Sequence, residues 1–320
     1  MNKTSELRQR LLASEMLIIP GAYDTLSAKI IQDTGYHAVF MTGYGASVSR
    51  LGEPDSGILS MTEMVQQARS MAQAVSIPVL ADADGGYGGP LNVRRTVQEY
   101  EAAGIAALML DDRDYPEIAG SAQERGIISS EQMVRKIKAA VAARRDPDFL
   151  IVAMSCAGSG LGLEEAFRRL RSYRAAGADV VMADGMSDSR ELQALADLFP
   201  STPIIAHVPE GGPISGPTKG ALGRLGFAAA IYSNGPLFAA AKAVKRYLET
   251  LDLKGAPRIA AASPADIPAA LALHLAEQIG EEGAKETLAA KAGQEQSLVD
   301  LKASIQDALA KGEEREPLRF

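Results

Sequence analysis

The chain has 320 residues, 47% of them hydrophobic, enough to bury the core of one α/β barrel or of two smaller domains. A formal net charge of -7 supplies no basic face for phosphates, so a nucleic-acid partner is not expected. The single cysteine, Cys156, excludes an internal disulfide, and the charges scattered through MNKTSELRQRLLASEMLIIPG argue against a secretory signal or a membrane span, so a cytoplasmic protein with no membrane partner is the expectation.

In chain order, short aliphatic runs alternate with stretches of helical periodicity, the rhythm of βα units around a parallel sheet. The runs span Met16 to Pro20, Ala38 to Thr42, Pro78 to Ala81, Ala106 to Leu110, Phe149 to Met154, Asp179 to Met182, Pro203 to His207 and Ala228 to Tyr232. They lack polar–apolar alternation, so both faces of each strand should be buried, and their number favours a closed (β/α)8 TIM barrel over an open sheet. Thr62 opens the helical stretch TEMVQQARSMAQAV, Ser129 and Ser130 precede EQMVRKIKAAVAARR, and Gly35, Gly104, Gly177 and Gly226 sit where helices stop. After Tyr232, GPLFAAAKAVKRYLETL reads as the last barrel helix, Lys254 to Pro264 as a linker, and Ile267 to Lys311 as an amphipathic, alanine-rich helical extension. The expected division is a catalytic barrel over residues 1–253 and a linker with helical extension over 254–320, the latter packing on its own barrel or on a neighbouring subunit.

The residues that end the runs carry the chemistry, because barrel active sites lie at the C-terminal ends of the strands. The third run ends in LADADGGYGG, where strand alternation would put Asp82 and Asp84 on one face. Two acids that close suit a hard cation such as Mg²⁺ or Mn²⁺, and the competing reading is a polar loop with two solvated acids. The other runs end in Thr42-Gly43-Tyr44-Gly45, Asp111-Asp112, Ser155-Cys156, Asp184, and His207 with Glu210 beyond it. Acids from neighbouring strands would therefore converge on one mouth, with helix capping the rival role for any one of them. His207 is either an acid–base group or a structural histidine, and Cys156 either lines the pocket or is a small buried thiol. The glycines of GGYGG lack a following Gly-Lys-Ser/Thr, so they read as a tight turn beside the metal rather than as a phosphate cradle.

These phrases carry a family resemblance. PGAYDTLSAKI, MTGYGASVSRLGEPDSGILSMTEM, LADADGGYGGPLNVRRTVQEYEAAGIAALMLDDRDYP and EGG followed by LGFAAAIYS resemble the isocitrate lyase and phosphoenolpyruvate mutase superfamily over roughly Leu7 to Leu251. The resemblance implies a metal-dependent barrel that makes or consumes the enolate of an α-keto acid, and a homodimer or homotetramer that exchanges its last barrel helices. By position, Asp82 is implied to hold Mg²⁺ directly, and Asp84 and Asp111 to hold its waters, Asp111 standing where glutamate is usual. Tyr44, Gly45 and Ala46 match a loop whose amides receive substrate oxygens. Asp55 and Asp184 match acids of the site and, with Tyr44 and His207, are the catalytic candidates. Met154, Cys156 and Glu210 join the Tyr44 loop as substrate-binding candidates.

Departures from the family narrow the reaction. The lyase loop phrase Lys-Lys/Arg-Cys-Gly-His is here Glu117 to Ser121, so Ala119 replaces the thiol that protonates one product. Arg125 aligns with the family's loop lysine, and the arginine of the fifth strand is Met154, which cannot form a charge-assisted fork. Isocitrate or methylisocitrate cleavage is therefore not expected. The reading is a Mg²⁺-dependent carbon–carbon lyase, decarboxylation included, acting on a small α-keto or 2-hydroxy carboxylic acid through a metal-bound enolate. A P–C bond enzyme acting on a phosphonate such as phosphonopyruvate, and a catalytically lapsed barrel with a binding role, are the alternatives.

Overall fold

The computed structural model describes residues 2–115, 126–186, 188–208, 210 and 218–251. They fall within one compact unit, Met1–Ala256. The expected linker and extension from Lys254 onward, the loop phrase from Glu117 to Ser121 with Ala119, and Arg125 lie outside the described residues.

Eight parallel strands pair in sequence order: β1 (Leu17–Ala22), β2 (Val39–Met41), β3 (Val79–Asp82), β4 (Ala107–Asp111), β5 (Leu150–Ser155), β6 (Val180–Ala183), β7 (Ile204–His207) and β8 (Ala229–Tyr232). Leu17 to Pro20 lie opposite Ala229 to Tyr232, which closes the barrel. The helices are α1 (Lys3–Leu12), α2 (Thr25–Asp33), α3 (Gly43–Leu51), α4 (Met61–Ala74), α5 (Pro90–Ala102), α6 (Ser130–Ala143), α7 (Leu163–Ala175), α8 (Ser189–Leu198), α9 (Lys219–Arg224) and α10 (Gly235–Thr250). The expected (β/α)8 barrel is thus present, every strand within two residues of its run. Pro20 does not end β1, because Gly21 and Ala22 go on to pair with Phe40 and Met41 of β2.

Alternation along the strands divides the core in two. Leu80, Met109, Val152, Met154, Met182, Ile205 and Ile231 fill the barrel, while Ala81, Leu108, Ile151, Val181, Ala206 and Ala230 pack under the helices. Carried one step past the strand ends, the inward parity delivers Thr42, Asp111, Asp184, His207 and Ser233 to the mouth. The parity therefore decides which polar residues can meet.

Helix ends follow local chemistry. Ser60, not Thr62, caps α4, because its side chain accepts from Glu63 N–H while Glu63 reaches back to Ser60. Ser129 caps α6 in the same way with Gln132. Gly35, Gly104, Gly177 and Gly226 adopt φ between 89° and 109°, the left-handed stop expected of them.

The N-terminal segment, read only as charged, forms α1 and closes the bottom of the barrel. Leu7 and Leu11 enter the inner core, and the charged positions tie the helix down around it. Lys3 Nζ donates to the carbonyls of Ala72 and Val75, both at 2.6 Å, and Arg8 pairs with Asp148 at 3.2 Å and Asp179 at 3.1 Å. Leu7→Ala opens a cavity at this fully buried position and should cost about 3 kcal/mol in urea unfolding. Because the position lies at the end opposite the mouth, a loss below about 1 kcal/mol would show that α1 does not close the core.

Candidate active site

β3 ends at Asp82, and the chain enters a turn in which Asp84 and Tyr87 take positive φ, 48° and 58°. Left-handed backbone at non-glycine residues costs about 1 kcal/mol or more each, so the surroundings must hold it. Asp84 N–H donates to Asp82 Oδ1 at 3.1 Å, and Asp111 N–H to Asp84 O at 3.0 Å. The Tyr87 and Tyr100 hydroxyls lie 3.0 Å apart, and Tyr100 donates to Asp82 O at 3.2 Å. Asp82 and Asp84 therefore meet through this braced turn, not through the strand alternation expected of them.

Carboxylate oxygens of Asp55, Asp82 and Asp84 all lie within 4.8 Å of one another. Gly43 N–H donates to Asp82 Oδ2 at 3.3 Å, and a Cβ on Gly43 would stand 2.8 Å from that oxygen and 3.2 Å from Asp55 Oδ2. Only glycine keeps the space between the two acids open. Asp84 Oδ1 is buried with no hydrogen-bond partner among the described residues. Burial first, then the charges of Asp55 and Asp111, push Asp82 up to about 7, and burial and Asp82 push Asp84 well above the usual carboxylate range. A hard-oxygen cluster with an orphaned oxygen and raised proton affinity fits a small divalent cation such as Mg²⁺ or Mn²⁺.

Asp55, expected as a catalytic acid, completes this cluster, and Asp111, expected to hold a cation's waters, lines the same cavity beside it. Asp111 accepts from Arg113 N–H at 3.1 Å and from the Tyr115 hydroxyl at 2.9 Å. Burial raises its proton affinity, with Arg113 pulling the other way. Asp112, fully buried, faces the helix layer instead, where Ser155 Oγ, Cys156 N–H, Tyr173 OH and Arg169 Nη1 donate to it at 2.7–3.3 Å. It is a framework residue, as the outward parity of its position requires.

A cavity of about 190 Å³ opens above these acids, lined by Thr42, Tyr44, Asp55, Asp82, Asp111, Arg113, His207, Ser233 and Asn234 over an apolar floor of Phe40, Met109, Met154 and Met182. That volume suits a small acid and not a nucleotide-sized ligand. His207 Nε2 lies 3.1 Å from Ser233 Oγ, and its Nδ1 stands 3.5 Å from Asp184 Oδ1, an ion-pair distance rather than a hydrogen bond. Burial acts to raise Asp184, but His207 and then Arg113 hold it down at about 2, so it stays ionised. Arg113 pairs with Asp184 at 3.5 Å and Asp111 at 3.8 Å.

Tyr44, Gly45 and Ala46, expected in a loop, are instead the first turn of α3. Gly45 N–H donates to Thr42 Oγ1 at 3.1 Å and Ala46 N–H to Thr42 O at 2.9 Å, so both amides are engaged by the helix cap. Only Tyr44 of the three lines the cavity, its ring edge-on to Phe238 at 6.3 Å. Glu210 does not line the cavity itself but accepts from the N–H of Asn234, which does, at 2.8 Å. Cys156 is a buried thiol raised by burial, its Sγ 3.9 Å from Asp111 Oδ2, and does not line the cavity. Arg113 and Ser233 were not anticipated. Both continue the inward parity, Arg113 from Met109 and Asp111, Ser233 from Ala229 and Ile231, and that signal could have found them.

A closed (β/α)8 barrel with a carboxylate cluster and a small cavity at its C-terminal mouth defines a class, the barrels built for anionic small molecules at a hard-cation site. Within it, the chain belongs to the phosphoenolpyruvate phosphomutase family, whose pattern it matches over residues 7–252. It is 41% identical over 244 residues to 2,3-dimethylmalate lyase of Eubacterium barkeri, covering 76% of this chain and 84% of that protein. It is 36% identical over 254 residues to oxaloacetate decarboxylase of a Bradyrhizobium species, covering 79% and 86%. The solved structure of a 2,3-dimethylmalate lyase, a member of the PEP mutase/isocitrate lyase superfamily, superposes with a TM-score of 0.81 at 28% identity over 88% of this chain and 99% of that one. The expected family is thus the one the chain belongs to, and the relatives' names agree with the carbon–carbon lyase class. Among the described residues no helix is long and apolar enough to cross a membrane.

The raised proton affinity of Asp82 sets a pH dependence. Without a cation, its contribution to stability is full below about pH 4 and is lost as pH climbs through about 7. A cation competes with that proton, so the rise in Tm caused by Mg²⁺ should grow between about pH 5.5 and about pH 8 and vanish in Asp82→Ala and Gly43→Ala. A shift independent of pH, or one that survives both substitutions, would contradict a cation site between these acids.

Proposed function

We propose that the protein is a Mg²⁺-dependent carbon–carbon lyase, decarboxylation included, of a small 2-oxo or 2-hydroxy carboxylic acid. The observation that carries this reading is the cluster of Asp55, Asp82 and Asp84 around the gap at Gly43, beneath a cavity too small for a large ligand. The named relatives support the lyase class. Asp55, Asp82 and Asp84 would hold the cation, with Asp111 beside them. When bound, Mg²⁺ supplies Lewis-acid stabilisation of the negative charge that cleavage leaves on oxygen.

The remaining steps belong to side chains. The N-terminus of α3, at Gly43 and Tyr44, brings the positive end of a helix dipole to the mouth, where it favours an anionic ligand. Met109, Met154 and Met182 give short alkyl substituents an adaptable apolar floor. In decarboxylation the bond between C3 and its carboxylate breaks, CO2 leaves, the electron pair on C3 is shared with the C2 carbonyl as an enolate, and a proton returns to C3. In cleavage of a 2-hydroxy acid the hydroxyl gives up its proton, the C2–C3 bond breaks with its pair on C3, C2 becomes the carbonyl of the released 2-oxo acid, and a proton returns to C3. His207, held between Asp184 and Ser233, is the acid–base group at the mouth that exchanges this proton, and solvent suffices where decarboxylation is the reaction. Asp184, kept ionised, orients the imidazole. We place the protein in the cytoplasm and read it as a homodimer or homotetramer, the association being supported by the apolar side chains that α10 leaves exposed, Phe238, Val244 and Leu248.

The test is release of pyruvate from oxaloacetate, 2,3-dimethylmalate and phosphonopyruvate, each with Mg²⁺ and with chelator. Metal-dependent release from one of the first two is expected, reduced at least about 100-fold by Asp82→Ala and about 10- to 100-fold in kcat by His207→Asn. Release from phosphonopyruvate alone would replace the reading with P–C chemistry, and binding without turnover of any would make the barrel a binding protein.

A further inference from the structure

We propose that Lys136 of α6 and Tyr100 of α5 are positioning residues of the candidate cation site. Reaching in from the helix layer, they hold the backbone on either side of Asp84, keep its carboxylate beside Asp82, and so set how tightly the site takes a divalent cation. The inference rests on the cation reading above and concerns residues outside the carboxylate cluster.

Every carbonyl from Asp82 to Gly86 accepts a hydrogen bond from the framework. Tyr100 OH donates to Asp82 O at 3.2 Å, Gly86 N–H to Ala83 O at 2.8 Å and Asp111 N–H to Asp84 O at 3.0 Å. Lys136 Nζ donates to Gly85 O at 2.8 Å, and Thr96 Oγ1 to Gly86 O at 3.1 Å. The carbonyls of the turn are thus directed into the framework, while its carboxylates are directed to the cluster. The bonds at Asp82 O and Gly85 O bracket Asp84, whose φ of 48° is left-handed. Release of either bracket lets that residue relax to an ordinary backbone conformation, which carries its carboxylate away from Asp82.

Lys136 shows the role most clearly. Buried lysines are rare without a charged partner, yet among the described residues this half-buried one forms no ion pair and spends its ammonium on a backbone carbonyl. Burial lowers its proton affinity, with Asp111 and Asp114 acting the other way, so its charge is felt by the acids of the mouth. As a bare charge it would oppose a second cation, whereas as a donor to Gly85 O it favours one by fixing Asp84. The two roles have opposite signs. Tyr100 carries no charge, is fully buried, and bonds through its hydroxyl to Tyr87, whose own left-handed backbone closes the same turn.

Mn²⁺ titrations followed by electron paramagnetic resonance test this on the full chain, with Tm in chelator showing which variants are folded. Lys136→Met, which keeps the length of the side chain and removes donor and charge together, should weaken Mn²⁺ about 10-fold, and Tyr100→Phe by a similar factor. Lys136→Arg, which returns a charged donor, should bring the affinity to within about threefold of the unaltered protein. Should Lys136→Met not fold, Tyr100→Phe carries the same test. A role confined to stability would lower Tm and leave the dissociation constant of the folded variants unmoved, and a purely electrostatic role would tighten Mn²⁺ in Lys136→Met; either result would overturn the proposal. An unaltered protein that takes up no Mn²⁺ would overturn the cation reading itself, and this inference with it.

Discussion

Carboxylates buried side by side resist ionisation, and the mouth of this barrel is arranged around that cost. Two unit charges within 4.8 Å, at an effective dielectric of about 20, repel by about 3 kcal/mol or more, before burial adds its own penalty. Asp82, Asp84 and Asp55 meet under those conditions, and the first two respond by holding protons. A divalent cation removes both penalties together, which is the physical reason such a cluster persists in a folded chain. The strained turn at Asp84 and Tyr87 points the same way, since its only visible outcome is to bring Asp84 beside Asp82.

The rest of the architecture can be read as support for that cluster. Closure of the barrel fixes the inward parity, so Asp82, Asp111, His207 and Ser233 arrive from four different strands at one cavity, with Asp184 of a fifth strand beside His207. α1 seals the opposite end, leaving the mouth as the open end of the inner core. Asp112 ties β4 to β5 and α7 through four donors, which holds its neighbour Asp111 in place. Polarity is sorted across the cavity, with acids on one side, the His207 and Ser233 pair on another, and methionines beneath.

Much of this was legible in the sequence, for reasons that also mark where legibility stops. The strands were visible because their runs are aliphatic on both faces, and the glycines before them because left-handed caps admit few alternatives. α1 was hidden because its outward positions are the charges that anchor it, and a charged segment reads as solvated until its partners are known. The first turn of α3 read as a loop because Gly43, Tyr44 and Gly45 are poor helix formers, and helix capping by Thr42 outweighs that propensity. That Asp55 meets Asp82 and Asp84 was not legible from spacing, because spacing along the chain does not say which acid a turn folds back over the mouth. Arg113 and Ser233 were passed over although the parity of β4 and β8 pointed to them.

Among the described residues the mouth combines the carboxylates of Asp55, Asp82, Asp84 and Asp111 with Arg113 and with the His207 and Ser233 pair, over a methionine floor. The central claim is that the acids of Asp55, Asp82 and Asp84 exist to hold a divalent cation. Anomalous diffraction from crystals grown with Mn²⁺ tests it most directly: one peak bounded by these three carboxylates is the predicted result, and a mouth without a peak in crystals saturated with Mn²⁺ would contradict it.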